Sequence, residues 1–345
     1  MAVNPAAPPA RATPADGPDP TPGRLVRIAA LPGPWGVFLL RRLGGLLVVA
    51  AVLVTATFAM VQLIPGDPAR VVAGPDATPE ALAVVRHQLG LDRSLPAQFT
   101  SYIGGLLHGD LGTSFQTKEH VSDIVTTRLP FTAELAVGAV LVSLLIAVPL
   151  GMAVAVRSSS RTDTAFSVLT GLGGAMPDYV LGTLLVVVFA IGLGWLPAAG
   201  AASLSSLVMP VAALAVPGAC AIARIVRRES AMVLAQDYMR TARARRLPTL
   251  RLYARHALPN LLTSTLTLGG LILAGLLGGT VVVESVFAWP GIGTRVVDAI
   301  LVRDYPVVQG CVLTLGMLAA VLNLAVDVLL GLLDPRTLIT DGGAS

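Results

Sequence analysis

The sequence predicts an all-α integral membrane protein of six transmembrane helices, with a small extracytoplasmic subdomain between the first two. Three observations predict it. Of the 345 residues, 54% are hydrophobic and only 13% charged, with a mean hydropathy of +0.77, whereas soluble domains carry about 25% charged residues. Six apolar stretches each approach or exceed the roughly 20 residues of helix that a bilayer core requires. The arginines, finally, gather in the segments that would share one side of the membrane.

Residues 1–35 are rich in Pro, Ala and Gly and cannot bury a core, so they are expected to be a disordered cytoplasmic tail. Proline interrupts them too often for a signal peptide. Residues 36–64 hold the first helix, whose apolar part runs from Leu43 to Ile64 behind Arg41 and Arg42. Residues 65–130 form the predicted extracytoplasmic loop subdomain. Within it "TPEALAVVRHQLG" reads as a helix with Thr78 as its cap and Pro79 in its first position.

Residues 131–336 form the predicted five-helix core. Its spans run from about Phe131 to Val156, Thr164 to Leu193, Leu207 to Val226, Leu261 to Val283 and Val307 to Leu333. Pro210 and Pro217 interrupt the fourth, which membrane helices tolerate when neighbours satisfy the freed backbone groups. Residues 337–345 are a second cytoplasmic tail. With both termini inside, the inner segments hold seventeen of the 24 Lys and Arg residues and the outer ones seven. That imbalance predicts this orientation.

Between the fourth and fifth spans lies "DYMRTARARRLPTLRLYARHALPN", with six arginines between Arg240 and Arg255. A single Arg at the centre of a membrane helix costs about 2.5–3.5 kcal/mol, so residues 228–260 belong in water on the inner face. Ala231, Leu234, Tyr238 and Ala242 recur at helical spacing. Pro248 breaks the pattern and Pro259 precedes the fifth span, which suggests two short helices with a bend. Charge alone suits topological retention and contact with anionic headgroups, or a partner-docking helix, better than nucleic-acid binding.

The acids in or near the spans are functional candidates because charge there is expensive. Glu134 falls in the first turn of the second span and Glu284 closes the fifth; both read as interfacial carboxylates reached by water. Asp178 follows Pro177, where the third helix could bend or unwind and line a cavity. Asn323 and Asp327 lie one turn apart on one face and suit a hydrogen-bonded packing pair better than a solute ligand. "FAWPGIG", Phe287 to Gly293, reads as a turn at the membrane surface with Trp289 at headgroup level. Cys220 and Cys311 read as small buried residues, and the four histidines lack metal-ligand spacing.

The segment 237–260 resembles the cytoplasmic signature loop of ABC importer permeases, in the version of the dipeptide, oligopeptide and nickel branch. Arg240-Thr241-Ala242 occupies the family's E-A-A triplet, and His256-Ala257-Leu258-Pro259 its closing I-x-L-P. Arg246 stands where the family has glycine, and Pro248 offers a break in its place. "IPGDPA", "LGLDRSLPAQF", "GDLGTSF", "GWLPAAG", "VVVESVFAWPGIGTRVVDAI" and "NLAVDVLLGLLDPR" follow the same branch in order, from about residue 36 to 336.

The resemblance implies the type I importer permease fold and a transport subunit rather than an enzyme. It makes Tyr238, Arg240, Thr241, Ala242, Arg243, Arg246, His256, Leu258 and Pro259 the ATPase-coupling element. Asp178, Glu284, Asn323 and Asp327 remain candidates for the translocation path or for helix packing. No P-loop surrounds Lys118, the only lysine, so ATP would be bound by partner subunits. The implied partners are a second homologous permease, two ATP-binding subunits and an extracytoplasmic solute-binding protein in a bacterial inner membrane. The alternative is a self-sufficient secondary transporter or channel; an intramembrane enzyme lacks any paired catalytic constellation.

Overall fold

Apolar runs that satisfy their own backbone groups become long helices, and the computed structural model is built almost entirely of them. It describes residues 34–63, 67–74, 76–157, 159–239 and 258–333. Helix α1 spans Pro34–Leu63 and is followed by the short α2, Pro68–Ala73, α3, Pro79–Gln88, and α4, Leu95–Leu107. The core helices are α5, Val121–Val156, α6, Ser160–Ala175, α7, Asp178–Leu185, and α8, Val208–Leu234. The chain ends with α9, Leu258–Val286, α10, Ile292–Leu301, and α11, Tyr305–Leu333.

By length and composition, α1, α5, the stretch Leu204–Leu234 containing α8, and α11 can each cross a membrane. The pair α6 and α7 makes a fifth such element if it counts as one span, and α9 is a further long helix of 29 residues.

Two expected boundaries move. Helix α5 begins at Val121, well before Phe131, so Glu134 lies inside the helix rather than in its first turn and is exposed. Pro130 is carried within it, and Val121, Ile124 and Val125 bury an apolar stripe that draws the early turns onto the bundle. The third span is not one straight helix. Pro177 forces Met176 into an extended conformation, and α6 and α7 meet at 94°. Beyond α7 the chain widens into a π-helical stretch, Val186–Gly192. At the start of α6, Ser159 and Thr162 cap the helix reciprocally.

Thr78 caps α3 as its sequence predicts, accepting a hydrogen bond from the Ala81 amide. The bundle is organised around α5, which lies along α8, while α9 contacts α5, α8 and α11, and α11 also packs on α1. Lipid tails are as apolar as leucine, so close approach rather than the hydrophobic effect holds such helices together. At Gly151 of α5 a Cβ would stand 2.7 Å from the Ala223 carbonyl of α8, so only glycine permits that contact. Ser143 of α5 donates to the Ala215 carbonyl of α8 at 2.9 Å, which ties the same pair by a buried polar bond. Cys311 is buried and Cys220 partly so; neither is bridged.

Candidate functional site

Helix α8 and the helical turn after it deliver the chain to the arginine-rich segment. Met239 is fully buried, while Tyr238 beside it is exposed. Arg240, Thr241, Ala242, Arg243, Arg246 and His256 lie outside the described residues. Leu258 and Pro259 open α9; a Pro in the first turn removes only an amide that has no helical partner there.

Asp327 of α11 and Arg42 of α1 form an ion pair at 2.9 Å. The cation that opens the first apolar run is thereby neutralised by the acid in the last one, which holds α1 to α11. Asn323, one turn earlier, is exposed. Asp178 sits in the first turn of α7, where its Oδ1 accepts from the Tyr179 amide at 2.8 Å. It is half-buried beside Gly279 of α9. Its position follows from the break at Pro177: the carboxylate is presented at the corner between α6 and α7.

Glu284 departs from the sequence expectation. It is fully buried, not reached by water, because the chain after α9 folds back over it. Its Oε1 accepts from Thr132 of α5 at 2.7 Å and its Oε2 from the Thr294 amide at 3.0 Å. The Gly293 amide and the Thr280 hydroxyl complete the set. Thr132 in turn accepts from the Ile292 amide at 2.9 Å.

The first amides of a helix have no internal partner. Here those of Ile292, Gly293 and Thr294, which begin α10, are all taken up by this carboxylate and hydroxyl, an arrangement the positive end of the helix dipole favours. Glycine is required at the contact. A Cβ on Gly291 would lie 2.3 Å from the Glu284 carboxyl group, and one on Gly293 would lie 2.6 Å from Val281 Cα. Trp289 is likewise buried, 2% exposed, and its indole Nε1 donates to the Phe131 carbonyl at 3.0 Å.

A second junction was not singled out by the sequence. Asp304 is fully buried; one oxygen accepts from the Ser114 hydroxyl and the other from the Phe115 amide at 2.9 Å. "GDLGTSF" is thus pinned to the start of α11, and an isolated antiparallel bridge from Thr113 to His120 closes the turn. The signal was present in two short turn-rich motifs each holding a small polar residue, but nothing local pairs them. Among the described residues, no three His, Cys, Asp or Glu side chains converge as a metal site would require.

Both halves of the chain match family models. Residues 147–339 match the binding-protein-dependent transport system inner membrane component, and residues 37–136 match the N-terminal membrane component of the same systems. A "Glutathione transport system permease protein GsiC" of Salmonella choleraesuis (strain SC-B67) is 39% identical over 298 residues, covering 86% of this chain and 97% of that protein. The protein of the same name in Salmonella typhi has the same identity and coverage. A "Putative peptide transport system permease protein" of Brucella abortus (strain 2308) is 38% identical over 306 residues, covering 86% of this chain and 98% of that one. An arginine-rich sequence segment between α8 and α9, a buried polar junction at the far end of α9 and end-to-end likeness to transport permeases lead to one assignment: the chain belongs to the binding-protein-dependent transport system inner membrane components, as an ABC importer permease of the peptide and oligopeptide branch.

Proposed function

We propose that this chain forms half of a translocation path with six spans and both termini in the cytoplasm. A second homologous permease completes the path. Two ATP-binding subunits grip the 228–260 loops on the inner face, and a solute-binding protein delivers cargo to the outer one. The cargo is a peptide or a related small solute, as the names of the relatives suggest.

One observation carries the reading. The six-arginine segment is spliced between α8 and α9, and both of these helices pack on α5 as well as on each other. A pull on that segment therefore acts on the centre of the bundle rather than on a loose edge. Met239, fully buried, roots the segment just beyond α8, and Tyr238 beside it is exposed. ATP-driven closure of the ATPases would draw the two loops together and shift a two-state equilibrium between inward- and outward-open bundles.

The test is ATP hydrolysis by the assembled transporter in lipid nanodiscs, with and without the loaded binding protein. Replacing Arg240, Arg243 and Arg246 together with Ala is expected to reduce the stimulated rate tenfold or more while the ATPases still bind nucleotide. Unchanged stimulation would refute coupling through this loop. Uptake by the lone chain under an ion gradient would favour a secondary transporter instead.

A further inference from the structure

Away from these junctions, a cavity of about 520 Å³ opens between the last turns of α1, the face of α4, the turn after α3 and the start of α11. That size is typical of small-molecule sites. Its lining carries one cation, Arg93, and one anion, Asp110. Neither is spent on the other: among the described residues Arg93 makes no ion pair, and the adjacent Asp92 is engaged by His87 at 2.7 Å. Asp110 uses Oδ1 to accept the Gly112 amide at 2.8 Å, and its other oxygen has no partner among the described residues.

Aromatic rings also line the cavity. Phe58 and Tyr102 stack with ring centres 6.0 Å apart. Tyr305 also lines the cavity, is 3% exposed, and its hydroxyl has no hydrogen-bond partner among the described residues. A buried hydroxyl left unpaired costs about 1–3 kcal/mol, and a bound polar group would remove that cost.

We infer that this cavity is a binding site for a small zwitterion, its anionic group set against Arg93 and its ammonium against Asp110. An ion of one sign would leave the opposite wall unpaired; a ligand carrying both signs neutralises both. Guanidinium matches a carboxylate or phosphate in two parallel hydrogen bonds, and aromatic faces favour an ammonium. Two sources supply that chemistry: a short peptide with free termini, or an ethanolamine phosphate headgroup at the ends of α1 and α11. The location on the outer side rests on the orientation proposed above.

The test is isothermal titration of the permease pair in phosphatidylglycerol nanodiscs, whose lipid carries no ammonium group, with dialanine and with O-phosphoethanolamine as probes. One saturable site is expected, weakened tenfold or more in Arg93→Gln and again in Asp110→Asn, and blind to N-acetyl-dialanine amide. Dialanine binding alone assigns the site to peptide, and phosphoethanolamine binding alone assigns it to lipid. No saturable binding of either probe, or affinity unchanged in both variants, overturns the inference. Binding-protein-stimulated ATP hydrolysis of the same permease pair, assembled with its ATPases, separates the two readings. If stimulation is intact while the probes fail, only the zwitterion site falls; if stimulation is absent from the unaltered transporter, the coupling scheme falls.

Discussion

Thr132 of α5 and Glu284 of α9 meet at 2.7 Å although 152 positions separate them. The bond joins the second and fifth long apolar helices at the point where α10 begins, so one carboxylate fixes the relative placement of three elements. Removing it strands two amides and two hydroxyls inside the bundle. Glu284→Ala is expected to cost about 2–5 kcal/mol, since each buried group left unpaired costs about 1–3 kcal/mol. Thr132→Val should cost less and Thr132→Ser little. Thermal unfolding in detergent micelles, followed by tryptophan fluorescence with Trp289 beside the junction, gives the readout. An unaltered midpoint in Glu284→Ala would show that the junction is not structural.

Gly293 and Gly275 provide a matched pair of substitutions. A Cβ at Gly293 would intrude to 2.6 Å from backbone of α9, whereas at Gly275 nothing lies within 4 Å. Gly293→Ala should therefore destabilise by about 1–3 kcal/mol through overpacking. Gly275→Ala should be neutral or mildly stabilising, because alanine is the better helix former by about 1 kcal/mol. Equal effects from the two in the same unfolding measurement would contradict the packing around α10.

Asp304→Ala removes the acceptor for Ser114 and Phe115. A hydrogen bond to a charged group contributes about 1.5–3 kcal/mol, enough to speed exchange of the Phe115 amide tenfold or more. Hydrogen–deuterium exchange across residues 112–120, resolved by mass spectrometry, would register the change. Exchange as slow as in the unaltered chain would mean that the turn is held by other contacts.

The segment between α1 and α3 should loosen in acid. Partial burial works to raise the Asp67 carboxyl, but the Arg86 hydrogen bond and charge, with the Ala69 amide, outweigh it and hold the group below its usual 3.8. The folded form thus binds this proton less readily than the unfolded one. Its contribution is full above about pH 4 and fades as pH falls through the depressed folded value. The partners are partly solvated, so the pair is worth about 0.2–1 kcal/mol. Limited proteolysis of residues 67–90 across pH 2.5–6 should show rising cleavage at the acid end, with Asp67→Asn sensitive throughout. A flat profile in the unaltered chain would remove the ion pair from the account.

The long helices were legible because apolar length is a local property: an uninterrupted run such as Leu43 to Ile64 has few alternatives to a spanning helix. The α3 start was legible for the same reason, since Thr78 and Pro79 act within one turn. What sequence alone misjudged depends on distant partners. Glu284 at the end of an apolar run looks like a solvated carboxylate until Thr132 and the returning Phe287–Gly293 turn cover it. Trp289 reads from sequence as a side chain facing lipid headgroups, but it is packed inside the protein with its indole bonded to a carbonyl of α5. Asp304 sits 190 positions from Ser114, and no periodicity connects them. The 94° corner at Pro177 was only half visible, because a thirty-residue greasy stretch reads alike whether straight or folded.

The wide-bore stretch Val186–Gly192 stores slack in the chain. Each π-type turn holds one residue more than its α counterpart, so losing a residue there tightens the coil into ordinary pitch. The same deletion within α8 would swing every later side chain by about 100° and turn its buried flank outward. Natural variants that are one residue shorter should therefore accumulate in 186–192 and be purged from 208–234.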